Sequence, residues 1–191
     1  MNSKLTAKDF EEALGGEISE SLAKKIEDYN FEYEEVSPEE RDACLVKIIN
    51  KILDPRVDQS GDHRLDIWEK GWGENLSALK DSDQGGDALT PRYFSKTDYG
   101  RWEGRLIKTI GENFEYNTLS VIVYYLLEKY GKAAKSLYEF GCGTGHHLLR
   151  MREINKTAKI YGLDWAEASQ KIIGEMVSKG ILDNAEGKRF D

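Results

Sequence analysis

Apolar side chains recur at intervals of three and four along the first 55 residues, and runs alternating with period two are missing. That pattern predicts amphipathic helices. Thr6 precedes a short segment carrying Phe10 and Leu14, which Gly15-Gly16 ends. Ile18, Leu22 and Ile26 repeat every four residues and give a second helix one core-facing stripe. Ser37-Pro38-Glu39-Glu40 starts a third helix, with a capping serine, proline at the first helical position and a carboxylate three residues after the cap. Leu45, Val46, Ile49, Ile52 and Leu53 form its apolar face, and Asp54-Pro55 closes it ahead of a loop from Asp58 to Asp62. Residues 63–80, with Leu65, Ile67, Trp68, Trp72, Leu76 and Leu79, predict a further amphipathic helix interrupted by Gly71 and Gly73. Both tryptophans read as core or interface residues, since large aromatics serve burial. Asp81 to Asp87, with Gly85-Gly86, is the most loop-like stretch and the expected domain boundary.

Beyond that boundary Pro91-Arg92-Tyr93-Phe94, Tyr99, Arg101-Trp102 and Phe114 form an aromatic and basic connector, with a lid among its candidate roles. Asn117 can cap an apolar helix from about Thr118 to Tyr130, which Gly131 would end in a left-handed conformation. The rhythm then changes. Ser136 to Phe140 is a short apolar strand, Gly141 to Gly145 a turn, and His146 to Asn155 a helix. Lys159 to Leu163 repeats the strand, Asp164 follows its end, and Ala166 to Lys179 repeats the helix. Alternation at this spacing predicts a parallel, doubly wound α/β sheet. The expected organisation is therefore an acidic helical cap region over 1–85, an aromatic connector over 86–116, and a sheet domain over 117–191.

Composition narrows the function classes. The 39 % hydrophobic and 32 % charged residues suit a globular chain, and no run approaches the length of a membrane span. No secretory signal is recognisable at the start, so a cytoplasmic location is expected. Cys44 and Cys142 form no CxxC pair and read as reduced thiols. The net charge of −8 is unevenly spread: the first 95 residues carry 22 acidic against 12 basic side chains, and the rest carry 13 against 15. An acidic front half repels phosphate backbones, which argues against nucleic acid and favours a small-molecule substrate.

The chemistry concentrates in the glycine turn. Gly141, Gly143 and Gly145 leave alternate positions without side chains, so a ligand can approach the backbone, and the helix that follows directs its positive end at the same place. Asp164 lies 19 residues beyond Gly145 at the end of the next strand, where a carboxylate can accept hydrogen bonds from ribose hydroxyls. A dinucleotide fingerprint requires glycine at its sixth position, which here is His146, and no Gly-Lys-Ser or Gly-Lys-Thr of a phosphate loop follows. Glu139-Phe140-Gly141-Cys142-Gly143-Thr144-Gly145 instead resembles the acidic-x-Gly-x-Gly-x-Gly motif of class I S-adenosylmethionine-dependent methyltransferases. The resemblance covers roughly residues 130–180. It implies a Rossmann-like sheet with S-adenosylmethionine as cofactor, the turn of Gly141, Cys142, Gly143 and Gly145 lying against its amino-acid part, Glu139 orienting the turn or meeting the cofactor's ammonium through water, Asp164 holding the ribose and Trp165 packing on the adenine.

His146-His147 lacks partners at metal-ligand spacing, so no metal is expected. Cys142 reads as a small side chain filling the turn. No catalytic residue is assignable, because methyl transfer from a sulfonium needs mainly in-line positioning. A complete domain of the resembled family has seven strands, whereas the third is the last recognisable here, so the chain reads as the N-terminal part of an enzyme that methylates a small molecule. Two alternatives stand beside this: a non-catalytic module that pairs with a second copy or a complementing chain through the open sheet edge, and a nucleotide- or NAD-binding Rossmann protein.

Overall fold

A computed structural model describes residues 2–55, 61–82, 85–94, 98–111 and 113–190. The loop expected from Asp58 lies outside the described residues as far as Ser60, as does part of the loop expected at Asp81 to Asp87. In chain order the elements are β1 (Asn2–Lys4), α1 (Ala7–Leu14), α2 (Glu20–Tyr29), β2 (Glu32–Glu35), α3 (Pro38–Ile52), α4 (Leu65–Lys80), β3 (Tyr99–Trp102), β4 (Arg105–Thr109), α5 (Phe114–Leu126), β5 (Ser136–Phe140), α6 (His146–Ile154), β6 (Lys159–Asp164), α7 (Glu167–Ser178) and β7 (Ala185–Arg189). They belong to a mixed α/β chain with two sheets: an antiparallel one in the order β1-β2-β4-β3 and a parallel one in the order β5-β6-β7. Two compact units result, Met1–Ser60 with Ser95–Val121 and Gly61–Phe94 with Ile122–Asp191.

The first unit holds the antiparallel sheet. Its helices start where the capping residues direct. Thr6 and Asp9 form a reciprocal capping box, and the Ser19 and Ser37 hydroxyls accept the N–H groups of Leu22 and Glu40 at 3.2 Å. Gly15, left-handed at φ 66°, ends α1. The region is not purely helical, however. β1 and β2 pair from Asn2 opposite Glu34 to Lys4 opposite Glu32, and β2 passes its other edge to β4. The aromatic segment expected as a connector supplies β3 and β4, a hairpin whose two-residue loop, Glu103-Gly104, has positive φ at both positions, as the twist of paired strands favours. Trp102, a lid candidate by sequence, is a core residue: its ring lies 4.8 Å from Phe10, which in turn meets Phe31 at 5.0 Å, and Phe31 meets Phe114 at 5.2 Å. Leu5, Leu22, Ile26 and Ile107 complete this interior.

In the second unit α4 and α7 pack side by side, and each supplies an end group to the other. Glu69 accepts the Ala168 N–H at the start of α7 (2.9 Å), and Lys179 donates to the carbonyls of Lys80 and Ser82 at the end of α4. Gly71 and Gly73 do not interrupt α4. Trp72 belongs to the core with Leu79, Leu148, Ile160, Ile172, Ile173 and Met176, and Trp68 stacks on it at 5.4 Å, so both tryptophans pack as their size predicts.

Two sequence expectations for α5 are corrected. The helix begins at Phe114, so Asn117 lies inside it and caps nothing. Gly131 is not left-handed; the helix widens into a π turn over Leu127–Gly131, where a Cβ on Gly131 would meet Leu127 at 3.2 Å. Asn155 then gathers this segment, donating to the carbonyls of Gly131 and Ala134 while accepting the N–H groups of Thr157 and Ala158. Among the described residues no helix is long and apolar enough to cross a membrane.

Candidate functional site

Register places the site. β5 and β6 run parallel with Phe140 opposite Leu163, so the glycine turn and Asp164 emerge side by side at the carboxyl ends of the strands, where parallel α/β sheets bind ligands. The turn is tied to β6 by its own backbone: Gly141 and Cys142 both donate to the Leu163 carbonyl, at 2.7 and 3.1 Å, and Gly145 donates to the Cys142 carbonyl at 2.8 Å. Gly141, Gly143 and Gly145 have φ of 68°, 51° and 71°, a path that L-residues resist. At Gly143 space matters as well, because a Cβ there would lie 2.9 Å from the Trp72 ring.

Asp164 is the hub. It is 4 % exposed, and its carboxylate accepts the Gly143 N–H (2.8 Å) on one oxygen and the Ala166 N–H (2.9 Å) on the other. An ionised carboxylate has about four acceptor positions, so two remain. Its main-chain carbonyl meanwhile accepts Phe190 N–H and the Gln170 side chain. A cleft of about 240 Å³, lined by Gly141, Asp164, Trp165 and Phe190, opens beside it.

Around the turn sits an unusually polar interior. Glu139, on β5, encloses its Oε2 with no hydrogen-bond partner among the described residues, and burial, with a smaller push from the Asp164 charge, raises its carboxyl to about 8 despite the opposing attraction of Arg150. Burial lowers His146 to about 2 and His147 to about 4, with Arg150 adding to both, so both imidazoles are neutral at physiological pH. His146 Nδ1 lies 3.0 Å from the Thr144 hydroxyl, which donates to the Leu89 carbonyl at 2.6 Å. Arg150 reaches the His146 carbonyl and His147 Nδ1 and lies over the Tyr124 ring. Cys142 is buried and its thiol is pushed up by that burial, which makes it inert as a nucleophile.

The seven residues singled out by sequence therefore divide. Gly141, Asp164 and Trp165 line the cleft; Gly143 and Gly145 shape the turn; Glu139 lies beneath it; and Cys142 turns its side chain into the core and can offer a ligand only its backbone. Phe190 was missed by sequence reading. Its signal was the strand before it: with β7 parallel to β6 and Arg189 opposite Asp164, the next residue must stand beside the turn. Trp72 and Leu89 were missed as supports of the turn, since nothing in their local pattern links them to residues 143 and 144. Among the described residues no group of three or more His, Cys, Asp or Glu could hold a metal ion. No protein-family model matches the chain, and a search of curated proteins returns no significant match.

Proposed function

We propose that this cleft binds S-adenosylmethionine and that the protein transfers its methyl group to a small-molecule acceptor, with β5, β6 and β7 as part of a Rossmann-like sheet. The observation that carries the reading is the joining of a three-glycine turn, a carboxylate and two aromatic rings around one opening. The turn offers a side-chain-free wall for the amino-acid part of the cofactor. Asp164, already fixed by two N–H groups, keeps two acceptor positions for two adjacent hydroxyls, and that is the number a ribose presents. Trp165 and Phe190 offer faces for a purine.

The cleft's volume is below the roughly 300 Å³ of a small ligand pocket, so it suits the nucleoside end of the cofactor better than the whole of it. The bound cofactor supplies an electrophilic methyl on sulfonium; what the chain's own residues contribute is orientation and exclusion of water. Titration calorimetry tests the assignment. Heat on adding S-adenosylhomocysteine, with none on adding NAD, is expected. Trp165→Ala is expected to weaken binding by about 1 to 3 kcal/mol through lost base stacking, while the turn, which Trp165 does not hold, keeps its fold. A folded protein that binds neither compound overturns the reading.

A further inference from the structure

The helix that the first unit exposes most carries a series of large apolar side chains. Along α3, among the described residues, only Cys44 is buried; its neighbour Glu40 accepts a 2.6 Å hydrogen bond from the Tyr99 hydroxyl, so this side of the helix faces its own unit. Leu45, Val46, Ile48 and Ile49 are each about half exposed, while Ile52 and Leu53 are 73 % and 72 % exposed. At 100° per residue these six side chains fall within one arc of about 160°, opposite Glu40 and Lys47. An exposed arc this wide matches the core-facing stripe of an ordinary amphipathic helix, but it faces outward.

We infer that this face is the docking surface for a second copy of the chain, α3 lying antiparallel on α3. Area comes first. The six side chains expose on the order of 600 Å², the upper end of what a monomer leaves bare, and two copies together cover about 1,200 Å², the lower limit of a specific interface. The helix dipole gives the direction. Arg41 and Asp42, on the same side of the helix as the apolar arc, pair with each other at 2.8 Å and leave no net charge on that face. Antiparallel pairing sets the positive dipole end of one copy beside the negative dipole end of the other, whereas parallel pairing sets like against like. A lipid surface is disfavoured, since anionic headgroups repel a chain whose first 95 residues carry 22 acidic against 12 basic side chains. The inference is independent of any cofactor.

Sedimentation velocity on the whole chain tests it, across concentrations up to the high-micromolar range. A reversible monomer–dimer equilibrium is expected, and Ile49→Glu is expected to leave only monomer with unchanged circular dichroism. Mixing Leu45→Cys with Ile52→Cys chains under mild oxidation should give a crosslinked pair that neither variant gives alone, because antiparallel pairing centred between Ile48 and Ile49 brings 45 opposite 52. A chain that stays monomeric overturns the inference, as does a dimer that survives Ile49→Glu or a monomer that binds anionic vesicles through this helix. Crosslinking of Leu45→Cys with itself would overturn the antiparallel arrangement.

Discussion

The two units bury different things. The interior of the first is a set of aromatic rings, Phe10, Phe31, Trp102 and Phe114, closed by Leu5, Leu22, Ile26 and Ile107. Among the described residues its only buried polar side chains are Asn117 and Ser120, the latter bonded to its own helix. The second also has an apolar core, but around the glycine turn it encloses Asp164, Thr144, His146 and Arg150 and shuts in one oxygen of Glu139. Burial of such groups costs stability unless each is partnered, and a cluster of them marks a place where shape and charge matter for more than folding. Substitutions in the two interiors should therefore fail in different ways.

The largest expected effect is in the first unit. Phe31 is wholly buried and touches three other rings, so Phe31→Ala leaves a cavity and should cost about 3 to 5 kcal/mol, read as a lowered midpoint in urea. Provided the protein is held below its new midpoint, the binding of S-adenosylhomocysteine proposed for the other unit should be unchanged; a parallel loss of binding would break the comparison. Gly143→Ala should be slightly milder in stability, about 2 to 4 kcal/mol, because it adds a left-handed strain to a 2.9 Å clash with Trp72. Its signature is the reverse: the proposed affinity for S-adenosylhomocysteine should collapse even where the fold survives, since the displaced turn carries the N–H that orients Asp164.

The pH dependence sharpens the contrast. Glu139 keeps its proton in the folded state up to about 8 but releases it near 4.5 when unfolded, so its contribution is complete below 4.5 and is lost as pH rises towards 8. The two histidines act oppositely. Depressed to about 2 and about 4, they contribute fully above about 6.5 and lose that contribution as pH falls. The stability of the second unit should peak near pH 6.5 and fall by about 1 kcal/mol by pH 8, the loss at Glu139 being partly offset by the last of the histidine gain. Glu139→Gln should keep the acid limb and flatten the alkaline one. Urea midpoints across pH, followed by hydrogen exchange of the β5 and β6 amides, would measure this; an unchanged alkaline limb in Glu139→Gln would assign the slope to another group.

How much of this was legible in the sequence depended on how local the cause is. The cap at Ser37, the glycine that ends α1 and the strand-turn-helix run from Ser136 to Ile154 are set within a few residues, and the pattern shows them; the cap at Ser19 is as local and was missed. β1 and β2 were not legible, since three- and four-residue strands such as Glu32–Glu35 are polar on their outer face and gain their hydrogen bonds from partners about 30 and about 74 residues away. The β3–β4 hairpin was nearly so: Glu103-Gly104 separates two alternating runs, but glutamate is a rare first residue in such a turn. In the site, the glycines and Asp164 were readable from order and spacing. The indole over Gly143 was not, because the periodicity of α4 says which of its faces is apolar and nothing of what that face meets.

Glycine itself gives the finest test of the comparison, in two positions of the second unit. Gly71 sits in the interior of α4 with right-handed backbone, and a Cβ there would meet nothing within 4 Å. Its only effect on stability is then the extra freedom it gives the unfolded chain, so Gly71→Ala should stabilise by about 0.5 to 1 kcal/mol, the reverse of Gly143→Ala. The same atom is added in both cases; at one position it restricts only the unfolded state, at the other it meets an indole and a backbone that alanine resists. Urea midpoints for the two variants should move apart, with cofactor affinity unchanged in Gly71→Ala. A loss of stability in Gly71→Ala would mean that the outer face of α4 has a partner.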